Sequence, residues 1–261
     1  MKNIIRIFIF TILLSGCFAH NHLKEPIISK LCLDEVCPSG TNKYDQIVNH
    51  KIIILANNPK TKFADWVAYK VEKKLINGPK RPRDWKQDPK LPPNTTLPPL
   101  AYKYLYKLNS DRGHQAPLAS FKGSENYYVV NYLSNITPQK SDLNKNAWEK
   151  LEKKIRNYVK NNNFVYVVTG PYYDKKQKPT KALPNYKGTV IIPKGYFKVV
   201  AKKENGNIYA TAFVMSQDTP PNIHYCSTIS TLENIKYLTS LSIFSKTPEG
   251  NMNKDLHCAN K

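Results

Sequence analysis

Acidic side chains are scarce in this chain: 19 Asp and Glu stand against 40 Lys and Arg, leaving a net charge of +21. That imbalance points to polyanionic partners, either nucleic acid or an anionic membrane face. A general bias toward Lys and Asn would leave the same trace, so charge alone does not choose between them. Arginine is scarcer still, with Arg6, Arg81, Arg83, Arg112 and Arg156 as the whole set. Where lysine is the default cation, a surviving planar fork suits bidentate phosphate contact. Long apolar runs are missing too. The stretch 7–14 is too short to span a bilayer and follows Lys2 and Arg6, the pattern of an export signal. There is no phosphate-binding glycine loop, no zinc-protease helix motif, no zinc-finger or recognition-helix spacing and no internal repeat. The lack of recognition-helix and zinc-finger spacing accords with weak preference for sequence.

The cysteines number five. Residues 14–17 fit a lipobox ending at Cys17, whereas cleavage after Ala19 fits an ordinary secretory signal; both mean export, and anchoring stays open. Four cysteines remain without Cys17, and four can pair in three ways. The economical pairing is Cys32–Cys37 with Cys226–Cys258. Residues 20–261 then have the size of one large domain or two small ones.

Strands are expected at 51–56, 63–71, 127–133, 164–169 and 189–192, and a hairpin at 196–215 around Asn205-Gly206. A helix is expected from about 142–146 through the apolar stripe Trp148, Leu151, Ile155 and Val159, with Asp142 a candidate cap. A second helix opens on a capping box, Ser230 with Glu233. Residues 78–100 form a proline-rich loop of functional length, which Trp85 argues is ordered. The class is α+β with a mostly antiparallel sheet flanked by helices.

Asp111-Arg112-Gly113-His114 is the one string with chemistry in it. An imidazole can take a proton from water near neutral pH, and a neighbouring guanidinium can hold a phosphate. On its own the string also suits a structural histidine. Asp111 reads as a turn residue, and His20, His22, His50, His224 and His257 read as surface or structural. The 17 tyrosines could pack or could stack on bases.

The string continues as Gln115-Ala116-Pro117-Leu118-Ala119. Further on come Asn135-Ile136-Thr137-Pro138-Gln139-Lys140-Ser141-Asp142-Leu143-Asn144, Ala147-Trp148 and Leu151-Glu152. Upstream stand Thr61-Lys62-Phe63-Ala64, Trp66-Val67-Ala68-Tyr69 and Arg83-Asp84-Trp85-Lys86; downstream stands Val168-Thr169-Gly170-Pro171. In that order they closely resemble the DNA/RNA non-specific endonuclease family over nearly all the mature chain, from about Cys32 to Cys258. The resemblance implies a ββα-metal (His-Me finger) fold in a single domain, 20–261. It implies His114 as general base, Asn144 as the sole direct protein ligand of Mg²⁺ (Mn²⁺ able to substitute), and Asn135 as a supporting amide. Glu152 becomes an outer carboxylate acting through water, and Arg83 and Arg112 phosphate clamps. The expected substrates are single- and double-stranded DNA and RNA, cut to 5′-phosphorylated products. The four mature cysteines fall where the family's two disulfides lie, and a homodimer can form. Asp84 departs from the pattern by placing a charge beside Arg83. Two other readings compete: an inactive surface DNA-binding or uptake protein on this fold, and a basic lipoprotein holding an anionic envelope.

Overall fold

The computed structural model describes residues 26–174 and 183–258. The signal segment, Cys17, His20 and His22 lie outside the described residues.

In chain order the main elements are β1 (Gln46–Asn49), β2 (Ile53–Asn58), β3 (Phe63–Glu72), α1 (Lys73–Ile76), β4 (Ser110–His114) and β5 (Ile136–Lys140). Then come α2 (Ser141–Leu143), α3 (Glu149–Asn161), β6 (Phe164–Tyr172), β7 (Gly195–Glu204), β8 (Asn207–Ser216), β9 (Ile229–Ser230) and α4 (Leu232–Thr239). Seven strands make one sheet in the order β1-β2-β3-β6-β7-β8-β9, every ladder antiparallel. β4 and β5 pair separately. The α+β, mostly antiparallel expectation therefore holds.

Both faces of the large sheet are covered, and the period-2 alternation of β3 shows how. Val67, Tyr69 and Val71 join the core containing Leu151, Ile155 and Val159 of α3 and the adjacent Trp148. Trp66 and Ala68 face the other way, toward Cys32, Cys37, Leu241 and Ile235 of α4. The stripe on α3 is thus core. Asn205 (φ 50°) and Gly206 (φ 85°) turn β7 into β8; two positive φ angles match the twist of the strands they join.

Several local expectations are corrected. Residues 127–133 form no strand: Tyr127–Asn131 and Leu133–Asn135 are 3₁₀ turns. Their aromatic and branched side chains satisfy burial through Val129, Val130 and Leu133 without a ladder partner. Residues 189–192 form no strand either; Val190 makes an isolated bridge. The cap of α4 is Thr231, not Ser230, its hydroxyl accepting from Asn234 N at 3.1 Å, because Ser230 is spent on edge strand β9. The cap of α2 is Lys140, and Asp142 lies inside the first turn.

The economical disulfides are present, Cys32–Cys37 and Cys226–Cys258. The second closes a separation of 32 residues, and in the chain-entropy account such a loop is worth about 3–4 kcal/mol. Cys226→Ala/Cys258→Ala is expected to lose about that much in guanidinium unfolding. Bonds of this kind persist in oxidising compartments. Among the described residues no helix is long and apolar enough to cross a membrane.

Candidate active site

β4 and β5 are joined by long intervening turns and pair His114 with Ile136 and Arg112 with Pro138. A Cβ on Gly113 would stand 2.5 Å from Gln139 Oε1 and 2.6 Å from Gln139 Cβ. Glycine is therefore what lets the two strands close. α2 follows β5 directly, so the unit is ββα: His114 ends its first strand and Asn144 opens the helical turn after α2. Both line one cleft of about 750 Å³, with Arg83, Arg112 and Glu152.

His114 is held from one side by Asn131. Asn131 Nδ2 donates to Pro82 O at 3.1 Å, which fixes the amide and leaves Oδ1 as an acceptor. Oδ1 lies 3.0 Å from His114 Nε2, so Nε2 carries the proton and Nδ1 keeps its lone pair. Trp85 packs on the ring at a centroid distance of 5.1 Å. Burial, helped by the Arg83 charge and opposed by Asn131, lowers the His114 pKa from 6.5 to about 4. The imidazole is thus a neutral base at neutral pH.

α2, the turn Asn144–Trp148 and α3 run on as one helix, and that middle turn is π-helical. In an α-helix, residues eight apart sit roughly 80° apart around the axis. One wider i→i+5 turn absorbs most of that offset, bringing Asn144 and Glu152 to the same face. Asn144 Nδ2 donates to Asp111 Oδ2 at 3.1 Å, which leaves Oδ1 as the end available to a cation. Asp111 is therefore not a turn residue: it lies on β4 and orients Asn144, with Lys145 Nζ 3.4 Å from its other oxygen.

Glu152 Oε1 is buried without a hydrogen-bond partner; Lys198 Nζ stands 3.7 Å away, an ion-pair distance. Burial raises the Glu152 pKa, and Lys198 and Arg156 oppose the rise. Burial likewise lowers Lys198 to about 8 against the pull of Glu152. An amide oxygen and a carboxylate whose buried Oε1 lacks a hydrogen bond, on one helix face, fit a hard divalent cation that keeps several waters. Among the described residues no group of three or more His, Cys, Asp or Glu could cage an ion, so such a cation would rest on few protein ligands.

The arginines reach the cleft differently. Arg112 lies 5.5 Å from the Trp85 ring and 5.9 Å from that of Tyr102, and its buried Nε has no hydrogen-bond partner. Arg83 is exposed on the proline-rich loop. Asp84 turns to Lys86 at 2.6 Å, which leaves the Arg83 fork to the cleft. The loop is pinned by Arg81 Nε donating to Lys122 O at 2.8 Å. Buried Asp88 holds it again, 2.7 Å from His50 Nε2 and accepting from Ser134 Oγ at 2.6 Å. His50 is structural, and His224 Nδ1 accepts from Cys226 N.

Asn135 does not line the cleft. It is fully buried and grips the chain just beyond His114, its Oδ1 accepting from Ala116 N at 2.9 Å. Its Nδ2 donates to Ala116 O at 2.9 Å and Val130 O at 2.8 Å. Asn135→Ala is expected to destabilise by about 2–4 kcal/mol through stranded backbone partners, read as a shifted denaturant midpoint.

Sequence reasoning missed Asn131, Lys198 and Arg156 in this constellation. Asn131 carried no signal, since only the fold brings it to His114. Lys198 did: it alternates with Tyr196 and Val200 on the core side of β7, an odd place for a lysine. Arg156 lies one turn after Glu152, lines the cleft and has a buried, unpartnered Nη1.

The sequence pattern of the DNA/RNA non-specific endonuclease family matches residues 35–250. A nuclease of Serratia marcescens is 41% identical over 218 residues, 82% of this chain and 80% of that protein. Human mitochondrial endonuclease G is 28% identical over 190 residues, 69% of this chain and 63% of that one. A crystal structure of the EndoG/EndoGI complex superposes with a TM-score of 0.66 at 22% identity, covering 79% of this chain and 90% of that chain, a likeness of fold. The match spans both strands and the helix that bring His114, Arg112, Asn144 and Glu152 together, and the chain belongs to the DNA/RNA non-specific endonuclease family, whose activity is endonucleolytic cleavage of nucleic acid.

Proposed function

We propose that this endonuclease hydrolyses DNA and RNA, single- and double-stranded, with His114 as general base and one Mg²⁺ at Asn144, which Mn²⁺ can replace. The observation that supports this most is the fixed His114 tautomer facing the same cleft as Asn144 and Glu152. His114 Nδ1 takes a proton from water as that water attacks phosphorus. Arg112 and Arg83 bind the non-bridging oxygens and stabilise the added charge of the transition state. Asp111 keeps the Asn144 oxygen turned to the cation, and Glu152 orients surrounding water. When bound, the cation held at Asn144 would supply Lewis-acid stabilisation of the charge developing on the phosphate. As the water oxygen bonds to phosphorus the P–O3′ bond breaks, and the departing 3′ oxygen takes up a proton from solvent water, so the products carry a 5′-phosphate and a 3′-hydroxyl. None of these roles uses the 2′-hydroxyl, so sugar type is not discriminated.

Phosphate contacts carry no base information, and the lysine surplus adds sequence-independent attraction. The KM for duplex DNA is therefore expected to rise at least about ten-fold between roughly 50 and 200 mM salt, measured by initial rates. An export signal and two disulfides support an exported enzyme, with a lipid anchor at Cys17 and a homodimer as open forms.

The test uses residues 20–261 with disulfides formed, incubated with plasmid DNA and with RNA in Mg²⁺ and in chelator. Degradation of both only with the cation supports the proposal. Tight binding with no cleavage would favour the inactive DNA-binding reading.

A further inference from the structure

The cleft has an aromatic lip that the reaction does not use. Tyr104 and Tyr106 line the same cleft as His114 and Asn144 but face solvent, 37% and 71% exposed. Their rings meet edge to face at 6.1 Å. Lys103 and Lys107 hold their ammonium groups 4.9 and 5.1 Å from the Tyr104 ring centroid. The surrounding turn is fixed. Tyr102 and Leu105 are buried, and Tyr102 donates its hydroxyl hydrogen to Ile136 O at 2.9 Å. The 3₁₀ turn Leu105–Leu108 lies between two left-handed residues, Tyr104 (φ 69°) and Asn109 (φ 48°). A bulky residue rarely adopts that conformation; Tyr104 does so at the start of the turn that leads into β4. Inward anchors and outward rings thus alternate along a rigid lip.

We propose that Tyr104 and Tyr106 are a stacking platform for unpaired bases of the strand being cut, with Lys103 and Lys107 on its phosphates. Aromatic faces accept any base, and nearby cations neutralise the backbone, the pairing that single-strand sites use. Bases within a duplex are already stacked on one another and cannot occupy the rings. The platform therefore gives single-stranded substrate a hold that duplex lacks, while leaving sequence unread. This rests on the reading of the cleft as the place of cleavage.

The test separates the two claims. His114→Ala protein in chelator is titrated with a short single strand carrying 2-aminopurine, and with a hairpin duplex of the same sequence. The expected result is quenching on the single strand. Tyr104→Ala/Tyr106→Ala should remove that quenching and weaken single-strand binding about ten-fold, with duplex binding falling by no more than about two-fold. Tyr104→Phe/Tyr106→Phe should restore both. In the active enzyme the same loss should appear as a higher KM on single strands. Equal losses on the two substrates, or quenching unchanged in the alanine variant, would overturn the platform. So would a halved sedimentation mass of that variant, which would mean that the patch joins two copies. Failure of the unsubstituted enzyme to cut either substrate in Mg²⁺ would overturn the cleavage reading instead, and the fluorescence result would still decide the stacking.

Discussion

His114→Ala lowers kcat on DNA and RNA by about 10²–10⁴-fold, the usual contribution of a positioned general base. KM should move little, because the ring makes no contact that the arginines do not already provide to the phosphate. The pH profile follows from the same environment. Burial and Arg83 set the free-enzyme imidazole at about 4, so protonation of His114 itself should not lower kcat/KM, which reports the free enzyme, until pH approaches 4. Protonation of Glu152, whose carboxyl pKa burial raises, should begin the fall at higher pH. A bound phosphate brings negative charge beside the ring and favours its protonated form. The acid limb of kcat should therefore lie at higher pH than that of kcat/KM. Stability moves with the same proton. Between pH 6.5 and about 4 the unfolded chain protonates residue 114 and the native chain does not. This group's contribution is thus complete above 6.5 and is lost as pH falls through that window.

The second large effect is at Asn144. Its Nδ2 donates to Asp111, and on the proposed reading its Oδ1 is left for the cation. Asn144→Ala removes the oxygen and should cost about 10²–10³-fold in kcat/KM, the scale of losing one electrostatic contact in a site. Thermal stability without cation should stay within a few degrees, since the side chain is only partly buried. The stabilisation that Mg²⁺ gives the unsubstituted protein should shrink, which a thermal shift reads independently of turnover. Asn144→Asp should also fail, because a second carboxylate would face Asp111 at hydrogen-bond range. Adding Asp111→Asn to Asn144→Asp should recover part of the loss by reversing the donor and acceptor. No recovery would mean that Asp111 does not set the Asn144 amide.

Where one physical signal dominated, the sequence was a sound guide. The apolar stripe of α3, the Asn205-Gly206 hairpin and the strand at 63–71 all stand in the structure, because burial and turn chemistry act locally there. The aromatic run at 127–133 misled: composition favours a strand, but a strand needs a partner edge, and packing used these residues as 3₁₀ turns. The π turn at Asn144–Trp148 has no compositional mark, although it aligns Asn144 with Glu152. The spaced motifs singled out His114, Arg112, Asn144 and Glu152, and the fold brings these four to one cleft. Their supports were not: Asn131 and Asp111 act through contacts between segments far apart in the chain, and Asn135 proved to brace backbone instead of lining the cleft.

The central claim is that neutral His114 accepts the proton of the attacking water. Single-turnover cleavage by His114→Ala, with and without added free imidazole, tests it most directly. The account predicts that imidazole restores a large part of the rate in proportion to its unprotonated fraction, with an acid limb in the ordinary imidazole range. Near-unsubstituted turnover by His114→Ala without imidazole would contradict the claim.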